Sequence, residues 1–315
     1  MSITLNRIAE QGTNGVAMMP IIQGVARAAA TISALLRSAV FKDVLGEAGA
    51  ENVQGEQQQK LDVLTDEIFF QEMRATGFVC AVGSEEQEQL QVVEEYAHAD
   101  WLVLVDPLDG SSNLDIDGPV GTIFSIVKRT SPNLQRPQEM DCLQPGKQIV
   151  AAGYVLYGPA TMLVCSVGNG VEGYSINPGT SRFELSHPDI RIPAQGGYYS
   201  VNEAYSSSWL GGMGSRLGRM KRETGLGMRY VGSMVADMHR TLLKGGIFLY
   251  PADENKPNGK LRLLYEAIPM GFLMEQAGGQ AMSADGRVLE VMPQGLHQRI
   301  PVFLGATAAV SSLLA

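Results

Sequence analysis

The stretch WLVLVDPLDGSSNLD, Trp101 to Asp115, passes from an apolar run directly into a turn. The apolar run predicts a buried strand, and the Asp, Pro, Gly, Ser and Asn residues that follow it are typical turn formers. Turn chemistry does not explain why two carboxylates, Asp106 and Asp109, end the strand with only Pro107 and Leu108 between them. Open sheets collect ligands at the carboxyl ends of their strands, so the repeated acid indicates a binding site there.

Composition describes an ordinary soluble protein that is larger than one usual domain. The 315 residues are 45% hydrophobic and 18% charged, which favours two packed domains. The net charge of −9 argues against general affinity for nucleic acid or for an anionic membrane. We see no apolar run long enough to span a bilayer and no targeting segment, so we expect a cytoplasmic protein. Three cysteines are too few and too scattered for a disulfide framework or a zinc site.

Residue patterning in the first part of the chain predicts a mixed sheet with helices packed on it. Helices are expected over 21–40 and 62–74, and a Glu- and Gln-rich helical stretch over 86–97. Strands are expected at FVCAV, WLVLVD, TIFSIVKR, IVAAGYVLY, TMLVCSVG and VEGYSI.

A stretch with Pro and Gly, HPDIRIPAQGG at 187–197, is the best candidate boundary between domains of residues 1–190 and 191–315. Beyond it, a smaller α/β layer is predicted. Its elements would be a strand at YYSVN, a helix over 235–243, a strand at GIFLYP, a helix over about 261–278 and a strand at PVFLGA.

Acidic residues gather in four clusters at the edges of predicted elements: Glu56 with Asp62, Glu85 with Glu86, Asp106 with Asp109, and Glu266. Each cluster alone could be a solvated acidic turn or a helix cap, which is the favoured interpretation for Glu85 with Glu86 alone, whereas the clusters together favour a metal site. Hard divalent cations such as Mg²⁺ prefer several oxygen ligands, and two neighbouring strands ending in VGSEE and VDPLDG would supply them together.

The turn that follows Asp109 adds an anion site to these carboxylates. Backbone N–H groups of Gly110, Ser111 and Ser112 can point into one concavity. The sequence carries no G-x-S-x-G, Walker A or H-E-x-x-H motif. Carboxylates for metal beside amides for an anion therefore predict metal-dependent hydrolysis of a phosphate ester.

With these residues the chain resembles the class I fructose-1,6-bisphosphatases, within the lithium-sensitive, magnesium-dependent sugar and inositol phosphatases. DPLDGSSNLD is close to the metal motif of that superfamily, and GKLRLLYEAIPMG at 259–271 resembles the bisphosphatase signature. Further matches, QKLDVLTDEIF, VGTIF, YSVNEAY, RYVGSMVADMHRTLLKGGIFLYP and PNGK, extend the resemblance over nearly the whole chain. It implies an α/β (α+β) fold, a layered α-β-α-β-α sandwich. It also implies hydrolysis of the 1-phosphate of D-fructose 1,6-bisphosphate, in gluconeogenesis or the Calvin cycle.

The resemblance also implies roles for the acidic residues. Two or more Mg²⁺ ions per subunit, replaceable by Mn²⁺, would be held by the carboxylates of Glu85, Asp106, Asp109 and Glu266 and by the carbonyl of Leu108. Asp62 and Glu86 match the acids that activate the attacking water and take its proton. Glu56 matches a position in a catalytic loop where the family commonly has Asp.

On the substrate side, the resemblance implies that the phosphoryl group meets Gly110, Ser111 and Ser112. The sugar and its 6-phosphate would meet Asn202, Tyr205, Tyr230, Tyr250, Lys260 and Arg262. Arg229 matches an arginine that reaches into a neighbouring subunit's site, which implies a homo-oligomer, a tetramer. Asp100 and Trp101 replace a Lys-Tyr pair that contacts nucleotide phosphate in AMP-inhibited members, so inhibition by AMP is not expected.

Three other functions remain open from the residues alone. Sedoheptulose 1,7-bisphosphate is one carbon longer and could be hydrolysed instead or as well. Inositol monophosphatase is disfavoured, because that activity does not need a pocket with Lys260 and Arg262. A catalytically silent sugar-phosphate sensor would be favoured by loss of a metal carboxylate, and none is lost.

Overall fold

Helices form three layers of the fold in the computed structural model, which describes residues 4–41, 47–51 and 57–315. A π-helical turn, Leu263–Ala267, precedes the fifth helix, and several short 3-10 turns connect the other elements. The six α-helices of the described residues are α1 (Gly12–Leu36), α2 (Lys60–Thr76), α3 (Met213–Thr224), α4 (Met234–Lys244), α5 (Ile268–Gln276) and α6 (Thr307–Leu314).

The strands fall into two large sheets and two small ones. In chain order they are β1 (Glu47–Glu51), β2 (Gln57–Gln59), β3 (Val79–Ser84), β4 (Gln91–Val92), β5 (Trp101–Asp109), β6 (Val120–Lys128), β7 (Ile149–Tyr157), β8 (Thr161–Ser166), β9 (Val171–Asn177), β10 (Arg182–Ile190), β11 (Tyr198–Ser200), β12 (Gly227–Met228), β13 (Ile247–Tyr250), β14 (Leu261–Arg262), β15 (Gln280–Ser283), β16 (Gly286–Arg287), β17 (Arg299–Ile300) and β18 (Val302–Gly305).

The first large sheet has eight strands in the order β10-β9-β8-β7-β6-β5-β3-β4. Its neighbours run antiparallel except β3 and β5, which are parallel, with Ser84 opposite Val105. The backbone N–H of Glu85 donates to the carbonyl of Val105 at 3.0 Å. Both strands therefore end at the same edge of the sheet, side by side, as the hypothesis of a shared acidic site requires.

Successive side chains of β5 pack against helices on opposite faces of this sheet. Val103 and Val105 pack in one core cluster with α1 and α2, whereas Leu102 and Leu104 pack in another with α4 and α5. Side chains of a strand point alternately to opposite faces, so this run is buried on both sides. Its continuous apolar character, which predicted a buried strand, is explained by these two cores.

The second large sheet has six strands in the order β12-β11-β13-β18-β15-β16. In β13, Phe248 joins the core that contains α4 and α5, while Ile247 and Leu249 pack with α3 and α6. Helices α4 and α5 thus lie between the two sheets. The layers are α1 and α2, first sheet, α4 and α5, second sheet, α3 and α6, which confirms the expected α-β-α-β-α sandwich.

The predicted helix over 86–97 is wrong. That stretch holds β4, which pairs with β3 at Val92, and a 3-10 turn, Glu94–Tyr96. Glu and Gln are good helix formers, but Leu90 and Val92 pack against the core from an edge strand. Packing at the sheet edge therefore outweighs helix propensity here.

Helix α1 is longer than the helix predicted over 21–40 and begins earlier in the chain. It also revises the statement that no apolar run is long enough to span a bilayer. By length and composition alone it is the one helix of the described residues that could cross a membrane. In the structure, 56% of its most apolar window is buried, and it packs against α2, β7 and β8. Core helices of soluble proteins meet the same length and composition test.

The close approach of α4 to the first sheet can be tested at Gly121 in β6. A Cβ atom at this position would lie 2.5 Å from Val235 Cγ2 and 2.7 Å from the carbonyl of Val155. We expect Gly121→Ala to lower the stability by about 1–3 kcal/mol, since neither helix nor strand can move freely. Urea unfolding followed by circular dichroism measures the loss.

Gly158→Ala is the matched control, because the nearest atom to its Cβ would be 3.9 Å away. We expect that substitution to stay within about 0.5 kcal/mol of the parent protein. Equal unfolding midpoints for both variants would contradict the packing assigned to Gly121.

Candidate active site

Three buried carboxylates meet where β3 and β5 end. Glu85 directly follows β3, Asp106 lies in β5, and Glu266 comes from the π-helical turn before α5. One oxygen from each lies within 4.8 Å of the others, and each residue is at most 7% exposed. The turn from the second part of the chain thus completes a cluster that the two strands begin.

Burial and mutual repulsion oppose ionisation of this cluster. Burial, and next the charge of Glu85, raise the pKa of Asp106 well above its usual value. Burial raises the pKa of Glu266 to about 7, although Arg262 acts in the opposite direction. Carboxyl groups crowded in this way bind a divalent cation readily, because the cation removes the repulsion, and an all-oxygen donor set suits Mg²⁺.

Arg262 is the cation that the structure places among these acids. Its Nη1 lies 2.9 Å from Glu85 Oε1, and its backbone N–H donates to Glu266 Oε2 at 2.6 Å. The residue is only 4% exposed. Its guanidinium therefore faces the carboxylates directly, whereas the resemblance had assigned it to the 6-phosphate of the sugar.

Asp109 is hydrogen-bonded to the start of α4. Its Oδ2 accepts hydrogen bonds from Ser233 Oγ at 2.6 Å and from the N–H of Val235 at 2.9 Å. The N–H of Met234 donates to its Oδ1 at 3.2 Å. Burial raises the pKa of Asp109, while these hydrogen bonds lower it. Asp109 thus joins the end of β5 to a helix N-terminus, a favourable place for negative charge.

A bulge in β5 shapes the turn between Asp106 and the predicted anion site. The register with β6 shifts between Asp106 and Asp109, and the N–H of Leu108 donates to Asp106 Oδ1 at 3.0 Å. Gly110 then adopts φ of +77°, and a Cβ there would lie 2.7 Å from Ser233 Cβ. Only glycine fits this left-handed turn so close to α4.

One cavity of about 280 Å³ contains most of the residues that the sequence singled out. It is lined by the acids, by the turn after β5 and by basic and tyrosine side chains from the second part of the chain. The predicted residues in its lining are Asp62, Glu85, Glu86, Asp106, Leu108, Asp109, Gly110, Ser111, Ser112, Tyr230, Tyr250, Lys260, Arg262 and Glu266.

The remaining predicted residues lie elsewhere. Asn202 and Tyr205 line a small neighbouring depression, which shares Tyr250 with the main cavity. Arg229 is exposed and lines neither; its guanidinium lies 5.1 Å from the ring centre of Tyr198. Glu56 lies outside the described residues, so its predicted role is not addressed by the structure.

Tyr230 lines the same cavity as the acids and lies near Tyr250 and Lys260. Burial, followed by the nearby Tyr250 and Asp237, raises its pKa to about 12, and Lys260 lowers it. The phenol is therefore neutral at physiological pH and can donate a hydrogen bond beside the ammonium of Lys260. A hydroxyl donor next to a cation is suited to a phosphate group.

Two cavity residues, Ser233 and Asp237, were not found from the sequence. Asp237 is 1% exposed and accepts hydrogen bonds from the N–H groups of Val231 and Gly232 at 3.0 to 3.1 Å, and from Arg240 Nη2 at 2.8 Å. It thereby holds the turn that follows Tyr230. The available signal was the pattern GSMVAD, in which Ser233 is the N-cap of a helix and Asp237 lies one turn later.

Comparison with known protein families covers nearly the whole chain. The family model for the N-terminal domain of fructose-1,6-bisphosphatase matches residues 3–188, and the model for the C-terminal domain matches residues 192–315. The chain belongs to the fructose-1,6-bisphosphatase family. Family membership confirms the resemblance seen in DPLDGSSNLD and GKLRLLYEAIPMG.

Curated relatives in the fructose-1,6-bisphosphatase family come from plants and bacteria. The cytosolic fructose-1,6-bisphosphatase of Brassica napus is 46% identical over 288 residues, which cover 90% of this chain and 84% of the relative. The class 1 enzyme of Nitratidesulfovibrio vulgaris is 46% identical over 302 residues, covering 93% and 90%.

Solved structures of the family confirm the fold. The holo form of Leishmania major fructose-1,6-bisphosphatase superimposes with a TM-score of 0.94 at 37% identity, covering 100% of this chain and 98% of that one. Its T-state gives a TM-score of 0.87 at 35% identity, with the same coverage. The five layers described above are therefore the fructose-1,6-bisphosphatase fold.

Crowding of the acids predicts a gain of stability on neutralising one of them. Asp106→Asn removes a buried carboxyl whose pKa is raised, so its ionisation opposes folding at neutral pH. We expect the variant to unfold about 2–4 °C higher than the parent in EDTA at pH 7.5, although it loses activity. Differential scanning calorimetry measures the shift.

Asp115→Asn, an exposed carboxylate of the same segment, is the control and should leave the midpoint unchanged. If Asp106→Asn unfolds at or below the temperature of the parent, the prediction is wrong, and other groups of the protein already compensate the repulsion among the acids.

Proposed function

We propose that this chain hydrolyses the 1-phosphate of D-fructose 1,6-bisphosphate to give fructose 6-phosphate and phosphate. The observation that carries the proposal is the arrangement of one cavity. Buried carboxylates and the Gly110–Ser112 turn line the same cavity as Tyr230, Tyr250 and Lys260. A sugar with phosphates at both ends needs two anion sites separated by polar groups. Membership of the fructose-1,6-bisphosphatase family supports the same substrate.

The donor set of the acidic end fits Mg²⁺, since it consists of hard oxygen atoms. Glu85, Asp106 and Glu266 would hold the metal, together with the carbonyl of Leu108 and with Asp109 once it exchanges some of its contacts to α4. Bound Mg²⁺ lowers the pKa of a water nucleophile and offsets negative charge on phosphoryl oxygens. Two or more ions per subunit, with Mn²⁺ as a substitute, remain part of the proposal.

The chain's own groups bind the phosphoryl end and manage the proton. Backbone N–H groups of Gly110, Ser111 and Ser112 bind phosphoryl oxygens in the concavity after β5. Asp62, at the start of α2, and Glu86, after β3, both line the cavity and accept the proton of the attacking water. Glu56 is proposed to assist them from its loop.

Arg262 belongs, in our proposal, to the metal end of the cavity. Its ion pair with Glu85 partly neutralises the acids, and the same guanidinium can turn to phosphoryl oxygens. The 6-phosphate is then left to Lys260, Tyr230 and Tyr250. Asn202 and Tyr205 extend this end from the adjoining depression.

The proposal also includes assembly of the chain into an oligomer. Arg229 is exposed beside Met228 and Val231, which are also exposed, so this segment presents an apolar and basic surface. We propose that Arg229 crosses to the substrate of a neighbouring subunit in a homotetramer. A cytoplasmic location is proposed as well, in line with the plant relatives, which are named cytosolic.

Phosphate release tests the reaction. We expect the purified protein to release phosphate from fructose 1,6-bisphosphate with Mg²⁺ and to lose this activity in EDTA. Sedoheptulose 1,7-bisphosphate and inositol 1-phosphate are the comparison substrates. No phosphate from fructose 1,6-bisphosphate in the presence of Mg²⁺ would overturn the proposal, and faster release from the seven-carbon sugar would reassign the substrate.

Lys260→Ala tests the 6-phosphate end separately. Loss of a charge-assisted hydrogen bond to the remote phosphate should raise KM for fructose 1,6-bisphosphate about tenfold or more. We expect kcat to change by less than about threefold, because the proposed role of Lys260 is to bind the phosphate that does not react. Steady-state kinetics give both constants.

Lys256→Ala removes an exposed ammonium in the loop before Lys260, where the backbone N–H of residue 256 donates to the Asp253 side chain and is kept in the variant. It should leave both constants unchanged. Equal KM values for Lys260→Ala and the parent would remove Lys260 from the substrate site.

A further inference from the structure

Asp66 is a buried carboxylate of α2 to which neither the sequence analysis nor the proposed mechanism gives a role. It lies one helical turn after Asp62 and is 3% exposed, but it does not line the active-site cavity. Ser84 Oγ donates to its Oδ1 at 2.5 Å, and Gln87 Nε2 donates to its Oδ2 at 2.6 Å. One carboxylate thus binds both residues that flank the pair Glu85 and Glu86.

The two hydrogen bonds fix a short turn at both of its ends. Ser84 is the last residue of β3, and its Oγ also accepts a hydrogen bond from the N–H of Glu86 at 3.3 Å. The N–H of Gln87 donates to the carbonyl of Ser84 at 3.3 Å, which closes the turn. A chain of contacts therefore runs from α2 through the Ser84 hydroxyl to the backbone of Glu86.

Repulsion makes such a restraint necessary. Glu85 lies within 4.8 Å of Asp106 and Glu266, and a free turn would relieve the crowding by swinging its acids into solvent. Backbone pairing with Val105 holds the N–H of Glu85, and the ion pair with Arg262 holds its carboxylate. The His297 ring contacts the carbonyl of Gln87 at 3.0 Å, and the side-chain contacts to Asp66 link both flanks of the turn to α2.

We propose that Asp66 is a positioning residue for the metal site. By binding Ser84 and Gln87 together, it holds the carboxylates of Glu85 and Glu86 toward the cavity before metal and substrate arrive. The inference rests on the proposed function, because it takes Glu85 as a metal ligand and Glu86 as a proton acceptor. It adds to that function a residue that touches neither metal nor substrate.

The chemistry of the partners predicts which substitutions are tolerated. A serine hydroxyl both donates and accepts, and a glutamine amide can present either its oxygen or its nitrogen. Asn at position 66 can therefore satisfy Ser84 and Gln87 together, whereas Ala can satisfy neither. Groups that orient metal ligands usually change metal affinity by about 10–100-fold when removed.

The experiment measures Mn²⁺ binding directly, from the electron paramagnetic resonance signal of the free ion, in Asp66→Ala, Asp66→Asn and the parent. Circular dichroism and the thermal midpoint establish that each variant is folded at the temperature of the titration. We expect the Mn²⁺ dissociation constant to rise about tenfold or more in Asp66→Ala, and to stay within about threefold in Asp66→Asn. The Mg²⁺ concentration for half-maximal phosphate release should rise in parallel.

Glu67→Ala is the matched control. Glu67 is the adjacent carboxylate and also accepts from a glutamine amide, Gln71 Nε2 at 2.8 Å, but it is exposed on α2. We expect it to bind Mn²⁺ like the parent. Loss of Mn²⁺ affinity in Glu67→Ala equal to that in Asp66→Ala would overturn the proposal.

Two further results would overturn it. One is an unchanged Mn²⁺ dissociation constant in folded Asp66→Ala, and the other is an equal loss in Asp66→Asn, which would point to charge rather than to positioning. Should Asp66→Ala not fold, Gln87→Ala decides, with weaker Mn²⁺ binding expected and unchanged binding contradicting the proposal.

The same measurements separate this inference from the proposed function. If the parent fails to hydrolyse fructose 1,6-bisphosphate while Asp66→Ala weakens Mn²⁺ binding, the function fails and the positioning role stands. If the parent hydrolyses the sugar while Mn²⁺ binding is the same in Asp66→Ala, the function stands and the positioning role fails.

Discussion

The active site depends on the electrostatic crowding of buried carboxylates at the carboxyl ends of β3 and β5. These two strands form the parallel pair of an otherwise antiparallel sheet, so Glu85 and Asp106 emerge beside each other. Burial penalises each charge and proximity adds repulsion, which is why the pKa of Asp106 is raised so far. Such an arrangement is stable only if the rest of the molecule supplies positive potential and holds the acids in place.

Several distant features meet that requirement. The guanidinium of Arg262 contacts Glu85, and the N-terminus of α4 binds Asp109 through two backbone N–H groups and Ser233. The π-helical turn before α5 brings in Glu266. Such turns are rare in proteins as a whole, and many of those that occur lie at functional sites. Each of these groups lies in the second part of the chain. The contacts that stabilise the acids of the first sheet therefore also join that sheet to α4 and to the turn before α5.

Most of the elements that position the site could be predicted from the sequence. The apolar runs of β3 and β5 are buried on both faces, which leaves a continuous pattern that is easy to recognise. The stretch 86–97 could not be predicted, because pairing with β3 outweighs the helix propensity of its Glu and Gln residues. Asp66 and Asp237 were missed for a different reason. A carboxylate that binds backbone or side-chain donors inside the fold has the same local sequence as one on a solvated helix.

The sequence by itself determined the family, the layered fold and the types of side chain in the cavity, because motifs and periodicity are local properties of the chain. Tertiary structure decided which partners these side chains contact. Arg262 follows Lys260 by two residues, yet its guanidinium contacts Glu85, and Asp109, three residues after Asp106, is hydrogen-bonded to the start of α4. Those choices depend on distances between segments that are more than a hundred residues apart in the chain. Only the packing of the two sheets around α4 and α5 fixes them.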